Sequence, residues 1–125
     1  MFAKVLLLAA AGAAGTLTRW GISSAIDKTF GDLLPWGTLA VNTLGCFAAG
    51  LLWVLFHDKM PISPDLRLAV FVGFMGAFTT FSALVLESGH LLNGDNMHSA
   101  MWYVGLHIVL GFAALFSGLA LGKAI

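Results

Sequence analysis

The chain has 125 residues, of which 59% are hydrophobic and 10% charged, with a formal net charge of zero. A soluble globular domain carries about 25% charged residues, so the deficit makes this an integral membrane protein rather than a soluble one, and its spans, read below as helices, make the expected fold all-α. The neutral balance and the lack of a basic run exclude a nucleic-acid partner, and the length fits a single domain, residues 1–125.

Four apolar stretches follow one another, each long enough to cross a hydrocarbon core about 30 Å thick. The first, residues 2–26, starts with a lysine and the run VLLLAAAGAAG, which resembles a signal peptide. It continues through Arg19 and Trp20 into further apolar residues, which favours a retained span over cleavage. Arg19 sits late in this span. It reads either as a side chain snorkelling to the interface or as a structural tether or electropositive vestibule. The loop that follows holds Asp27, Lys28, Gly31 and Asp32, and Pro35 suits the first turn of the next helix.

The second span, residues 36–56, contains no charged side chain. Asn42 lies inside it with two amide donors. It predicts either an interhelical hydrogen bond, worth about 1 kcal/mol in a membrane bundle, or an amide lining a pore. Cys46 is the only cysteine, so no disulfide forms within the chain. The next loop holds Pro61 and Pro64, and the Ser63-Pro64 pair can begin a third helix.

The third span, residues 68–86, reads LAVFVGFMGAFTTFSALVL. Gly73 and Gly76 loosen its backbone, and Thr79, Thr80 and Ser82 crowd hydroxyls into its middle. Singly, such hydroxyls bond back to the preceding turn; together, just after the glycines, they predict a break. A break frees carbonyls that can take a cation and amides that can face an anion. Irregular backbone inside lipid survives only where protein or a water-filled cavity covers it. Phe71, Phe74, Phe78 and Phe81 run through the same stretch, either as helix packing or with a positive ring edge turned to an anion.

The fourth span, residues 99–122, carries one titratable group, His107. Tyr103 and Gly111 share its helix face. His107 reads as a neutral interhelical donor or as a group at a pore edge. Small residues four apart, Ala11/Gly15, Gly45/Ala49 and Gly118/Gly122, permit close helix approach. With four crossings, Lys4, Lys59, Arg67 and Lys123 lie on one side against Lys28 on the other. The bias favours cytoplasmic termini but is small enough to allow both orientations.

All six carboxylates sit in loops or at span ends. A proton-driven exporter needs an acid in mid-membrane, and none is present. No nucleophile–base set or phosphate loop occurs, so the chain does not read as an enzyme, and the four histidines lack metal-ligand spacing.

Three groups of residues then resemble a known family. Gly12-Ala13-Ala14-Gly15 with Arg19-Trp20, Gly37-Thr38-Leu39-Ala40-Val41-Asn42 with Gly45-Cys46-Phe47, and Gly73-Phe74-Met75-Gly76-Ala77-Phe78-Thr79-Thr80-Phe81-Ser82 followed by Glu87 are similar, in this order, to the Fluc (CrcB) fluoride channels. The resemblance implies two four-helix subunits packed antiparallel as a dual-topology homodimer in the lipid of a bacterial cytoplasmic (inner) membrane. It implies two fluoride pores along the interface and a structural sodium ion at its centre, held by the backbone carbonyls of Gly76 and Thr79. The anion pathway falls on Asn42, Phe81, Thr80, Ser82, Tyr103 and His107, with Arg19 and Glu87 in structural roles, which leaves Phe71, Phe74 and Phe78 to packing.

Leu84 stands where the family carries a second phenylalanine, so one ring edge is lost, and Gly111 and Leu115 replace part of a polar track. Independently, a four-helix bundle fills its interior with side chains, which puts an ion path between subunits. The expected activity is passive export of cytoplasmic fluoride. The alternatives are a small four-helix multidrug exporter of organic cations and a non-transporting assembly subunit.

Overall fold

The computed structural model describes residues 1–31, 33–94 and 96–125, and its regular structure there is helical throughout. Helix α1 is Phe2–Phe30. Helix α2 is Trp36–Val54 and runs on through a π-helical turn, Leu55–Lys59. Helix α3 covers residues 64–78, α4 is Phe81–Asn93 and α5 is Met97–Ala124. Taken as continuous rods, four helices are long and apolar enough to cross a membrane: Phe2–Phe30, Trp36–Lys59, Pro64–Asn93 and Met97–Ala124. This is a multi-pass membrane protein. Asp32 and Asp95, expected in loops, lie outside the described residues.

Every rod reaches beyond the apolar stretch that marks it in the sequence. The extension of α1 has a visible cause. Asp27, expected in a loop, stays helical, and its carboxylate accepts the Gly37 backbone N–H at 2.7 Å. The first amides of a helix have no intrahelical acceptor, so Asp27 caps α2 from the end of α1. Pro35 precedes the first turn of α2 instead of lying in it. The chain leaves α1 at Gly31, whose φ of 77° is left-handed and suits a residue without a Cβ. Helix α3 starts at Pro64, with the Ser63 hydroxyl accepting the Leu66 N–H at 3.2 Å.

Helices α2 and α5 pack most extensively. They approach closely at Gly118, where an added Cβ would strike the Phe47 carbonyl oxygen. At the end where α2 begins, Leu34, Leu39 and the fully buried Tyr103 form the core, with Trp36, Leu84, Leu91 and Leu106 packed around it. At the opposite end, Lys4 pairs with Asp65 at 2.9 Å, Arg67 donates to the Phe56 carbonyl, and Lys59 donates to the Lys123 carbonyl. The exposed Lys4–Asp65 pair contributes little to stability, about 1 kcal/mol at most.

Candidate functional site

Between α3 and α4 the helical ladder stops. A π-helical run, Ala69–Met75, leads into a last α-turn, Gly76–Phe78. Thr79 (φ −87°, ψ 157°) and Thr80 (φ −150°, ψ 118°) are then extended. The two threonines divide the work. Thr79 closes the first half: its N–H and its hydroxyl both donate to the Met75 carbonyl, each at 3.0 Å. Thr80 opens the second half as N-cap, its Oγ1 accepting the Ala83 N–H at 3.1 Å. The Ser82 hydroxyl lies 3.2 Å from that of Thr80.

Asn42 of α2 fastens this interruption. Its Nδ2 donates to the Thr80 carbonyl at 2.9 Å, and its Oδ1 accepts the Thr80 N–H at 2.7 Å. In an unbroken α-helix that N–H would go to the Gly76 carbonyl. The amides that would bond the Gly76 and Thr79 carbonyls in a continuous helix are both taken elsewhere, the Thr80 N–H by Asn42 Oδ1 and the Ala83 N–H by Thr80 Oγ1. Helix α2 can come this close because residue 45 is glycine, where an added Cβ would strike the Thr79 methyl.

The interruption stands between two open grooves. One, of about 630 Å³, is lined by Arg19, Trp20, Ser23, Thr38, Thr80 and Ser82 among others. The other, of about 660 Å³, is lined by Asn42, Cys46, Gly76, Thr79, Thr80, Phe81, Leu84 and His107 among others. Thr80 borders both, and among the described residues no carboxylate lines either. Phe81 is 77% exposed beside the second groove. The other phenylalanines of the stripe face neighbours: Phe78 is buried and stacks with Phe74 at 5.8 Å, and Phe71 meets Trp53 and Phe56 edge-on.

Thus the structure brings Asn42, Thr79, Thr80, Phe81, Gly76 and His107 to one groove and Arg19 and Ser82, with Thr80 again, to the other. It does not bring Tyr103 to either. The Tyr103 hydroxyl is buried and donates to Glu87 Oε2 at 2.5 Å, and the Thr38 hydroxyl donates to Glu87 Oε1 at 2.8 Å. Glu87 therefore ties α2, α4 and α5 together. His107 places Nδ1 3.0 Å from the Tyr103 carbonyl. A carbonyl only accepts, so Nδ1 carries the proton, and the bond lies within one helix, not between helices as expected. Its Nε2 is buried with no partner among the described residues.

Two residues of the arrangement carry little signal in the sequence. Asp27 looks like any loop acid. Thr38 stands one turn before Asn42, a polar spacing that gives no hint of its partner Glu87, 49 residues away.

The two free carbonyls suit a hard cation, which takes oxygen ligands from unwound backbone. Among the described residues no cluster of His, Cys, Asp or Glu could hold a metal instead. A single copy offers only part of a coordination shell.

A family model described as "CrcB-like protein, Camphor Resistance (CrcB)" matches residues 6–119. A fluoride-specific ion channel FluC of Solidesulfovibrio magneticus is 46% identical over the whole of both chains. A FluC of Desulforapulum autotrophicum is 44% identical over 98% of each chain. A FluC of Maridesulfovibrio salexigens is 41% identical over 98% of this chain and 97% of its own.

Proposed function

The chain belongs to the CrcB-like family and is not an enzyme, and we propose that it is a passive, fluoride-selective channel. It lets cytoplasmic fluoride leave the cell across a bacterial cytoplasmic membrane. The relatives above are named fluoride-specific ion channels. The observation that carries the reading is the chemistry of the two grooves: hydroxyls, an amide, an exposed phenyl ring and one guanidinium, with no carboxylate among the described residues. Such a lining suits a small anion and repels none. It does not suit an exporter of organic cations, which needs an acid on the path.

In this reading two copies pack antiparallel, and the open grooves become two pores along their interface, enclosed by protein and lipid. The interruption at Thr79 and Thr80 then lies within the hydrocarbon core, where only such cover makes extended backbone tolerable. The carbonyls of Gly76 and Thr79 from both copies hold a sodium ion, which supplies a fixed positive charge and a joint between subunits. Along each pore the Thr80 and Ser82 hydroxyls, the Asn42 N–H left over from its bonds to Thr80, and the Phe81 ring edge replace parts of the anion's hydration shell. Arg19 draws anions toward the first groove. His107 borders the path at the second. Glu87 and Tyr103 brace the wall behind it.

Purified protein in fluoride-loaded liposomes tests this directly. Fluoride efflux should exceed that of protein-free vesicles and far exceed chloride flux under the same gradient. Efflux no faster than in empty vesicles, or equal chloride flux, refutes it.

A further inference from the structure

We infer that Asn42 is the positioning residue of the cation site: by holding both polar groups of Thr80 it keeps the carbonyl of Gly76, beside that of Thr79, free for a monovalent cation. The inference rests on the cation reading above.

The geometry has a specific consequence. Thr80 is the residue whose N–H would restore the helical bond to the Gly76 carbonyl. Asn42 Oδ1 takes that N–H at 2.7 Å, and Asn42 Nδ2 takes the Thr80 carbonyl at 2.9 Å. A planar carboxamide presents a donor and an acceptor side by side, which matches the N–H and C=O of one extended residue. Neither a hydroxyl nor a carboxylate can fill both places. Thr80 is extended as this pairing requires. When the clasp is lost, the Thr80 N–H has a competing acceptor at Gly76, and that carbonyl is withdrawn from the cation. Thr79 stays engaged through Met75, so the effect falls on one ligand of each copy first. The same amide also lines the second groove, so one side chain joins the cation site to the anion path.

The test uses the full-length protein in detergent and reads its thermal unfolding midpoint in sodium chloride against N-methylglucamine chloride at equal ionic strength. Wild type, Asn42→Ala and Asn42→Asp are compared. Wild type should gain stability with sodium. Asn42→Ala should lose that gain, and Asn42→Asp, which keeps the acceptor but not the donor, should show a reduced one. Asn42→Asp is nearly isosteric and covers the case in which Asn42→Ala does not fold. A sodium-dependent gain equal in wild type and both variants overturns the role of Asn42 and leaves the cation reading intact. No gain in wild type overturns the cation reading and the inference with it.

Discussion

Tyr103→Phe separates a brace from a pore contact. The hydroxyl is fully buried and donates to Glu87 at 2.5 Å. Phenylalanine keeps the ring, so no cavity opens and the packing against Leu34 and Leu39 is retained. What is lost is one hydrogen bond to a carboxylate, a class worth about 1.5–3 kcal/mol. Thr38 still donates to the other oxygen at 2.8 Å, which places the loss toward the lower end, about 2 kcal/mol. Removing both donors should cost more than the sum of the single changes, because the second removal leaves the carboxylate with neither; couplings of about 0.5–3 kcal/mol are typical of shared partners. The assay is reversible unfolding in mixed micelles of Tyr103→Phe, Thr38→Val and the double variant, with fluoride efflux measured on each. Tyr103→Phe should lose about 2 kcal/mol and conduct when folded. A loss below about 0.5 kcal/mol, with efflux nonetheless reduced, would refute the brace and put the hydroxyl at the anion.

Phe81→Leu should leave stability within about 0.5 kcal/mol, since the ring is exposed. If the ring edge contributes about 1 kcal/mol at the anion, efflux falls about fivefold; unchanged efflux in liposomes removes Phe81 from the path. Gly118→Ala forces a Cβ onto the Phe47 carbonyl and should destabilise the contact of α2 with α5 by about 1–3 kcal/mol, read as a lower unfolding midpoint; an unchanged midpoint means the helices separate freely there. His107→Phe removes a buried Nε2 with no partner among the described residues together with the Nδ1 bond to the Tyr103 carbonyl, so the two changes should offset and leave stability within about 1 kcal/mol; a loss above about 2 kcal/mol shows that Nε2 is bonded in the assembled protein.

The sequence made the spans visible because hydrocarbon thickness imposes a minimum apolar length. It did not show where the helices end. Asp27 and the run from His57 to Lys59 are too polar for lipid, yet the backbone ladder continues through them. Hydropathy reports the solvent, whereas a helix ends where its hydrogen bonds find other partners. The motifs shared with the CrcB-like family were legible, and the family match bears out the membership they implied. Who pairs with whom was not. Asn42 lies 38 residues from Thr80, and Thr38 lies 49 from Glu87, and no local pattern encodes such partners. Both readings of Asn42 were open in the sequence. The structure shows the interhelical bond in duplicate and leaves one Asn42 N–H outside it. For His107 the sequence offered an interhelical donor or a pore edge, and the structure shows its Nδ1 bonded to an i−4 carbonyl of its own helix.

The placement of charge bears on how a neutral path can be both attractive and fast. A fixed cation at the narrowest point would bind a small anion and hold it, and conduction needs sites weak enough to leave. Here the one guanidinium beside the interruption, Arg19, lines the first groove and is absent from the lining of the second. Thr80 borders both and carries no charge. In the proposed reading an anion drawn by Arg19 would then pass Thr80 to meet neutral side-chain donors, the Asn42 amide and the Phe81 edge. Leu84 and Gly111 line that second groove without a polar atom in either side chain. The contacts are fewer as well as weaker on that side, so exit from Thr80 into the second groove should be the step that limits rate, and residues there should control conduction more than Arg19 does.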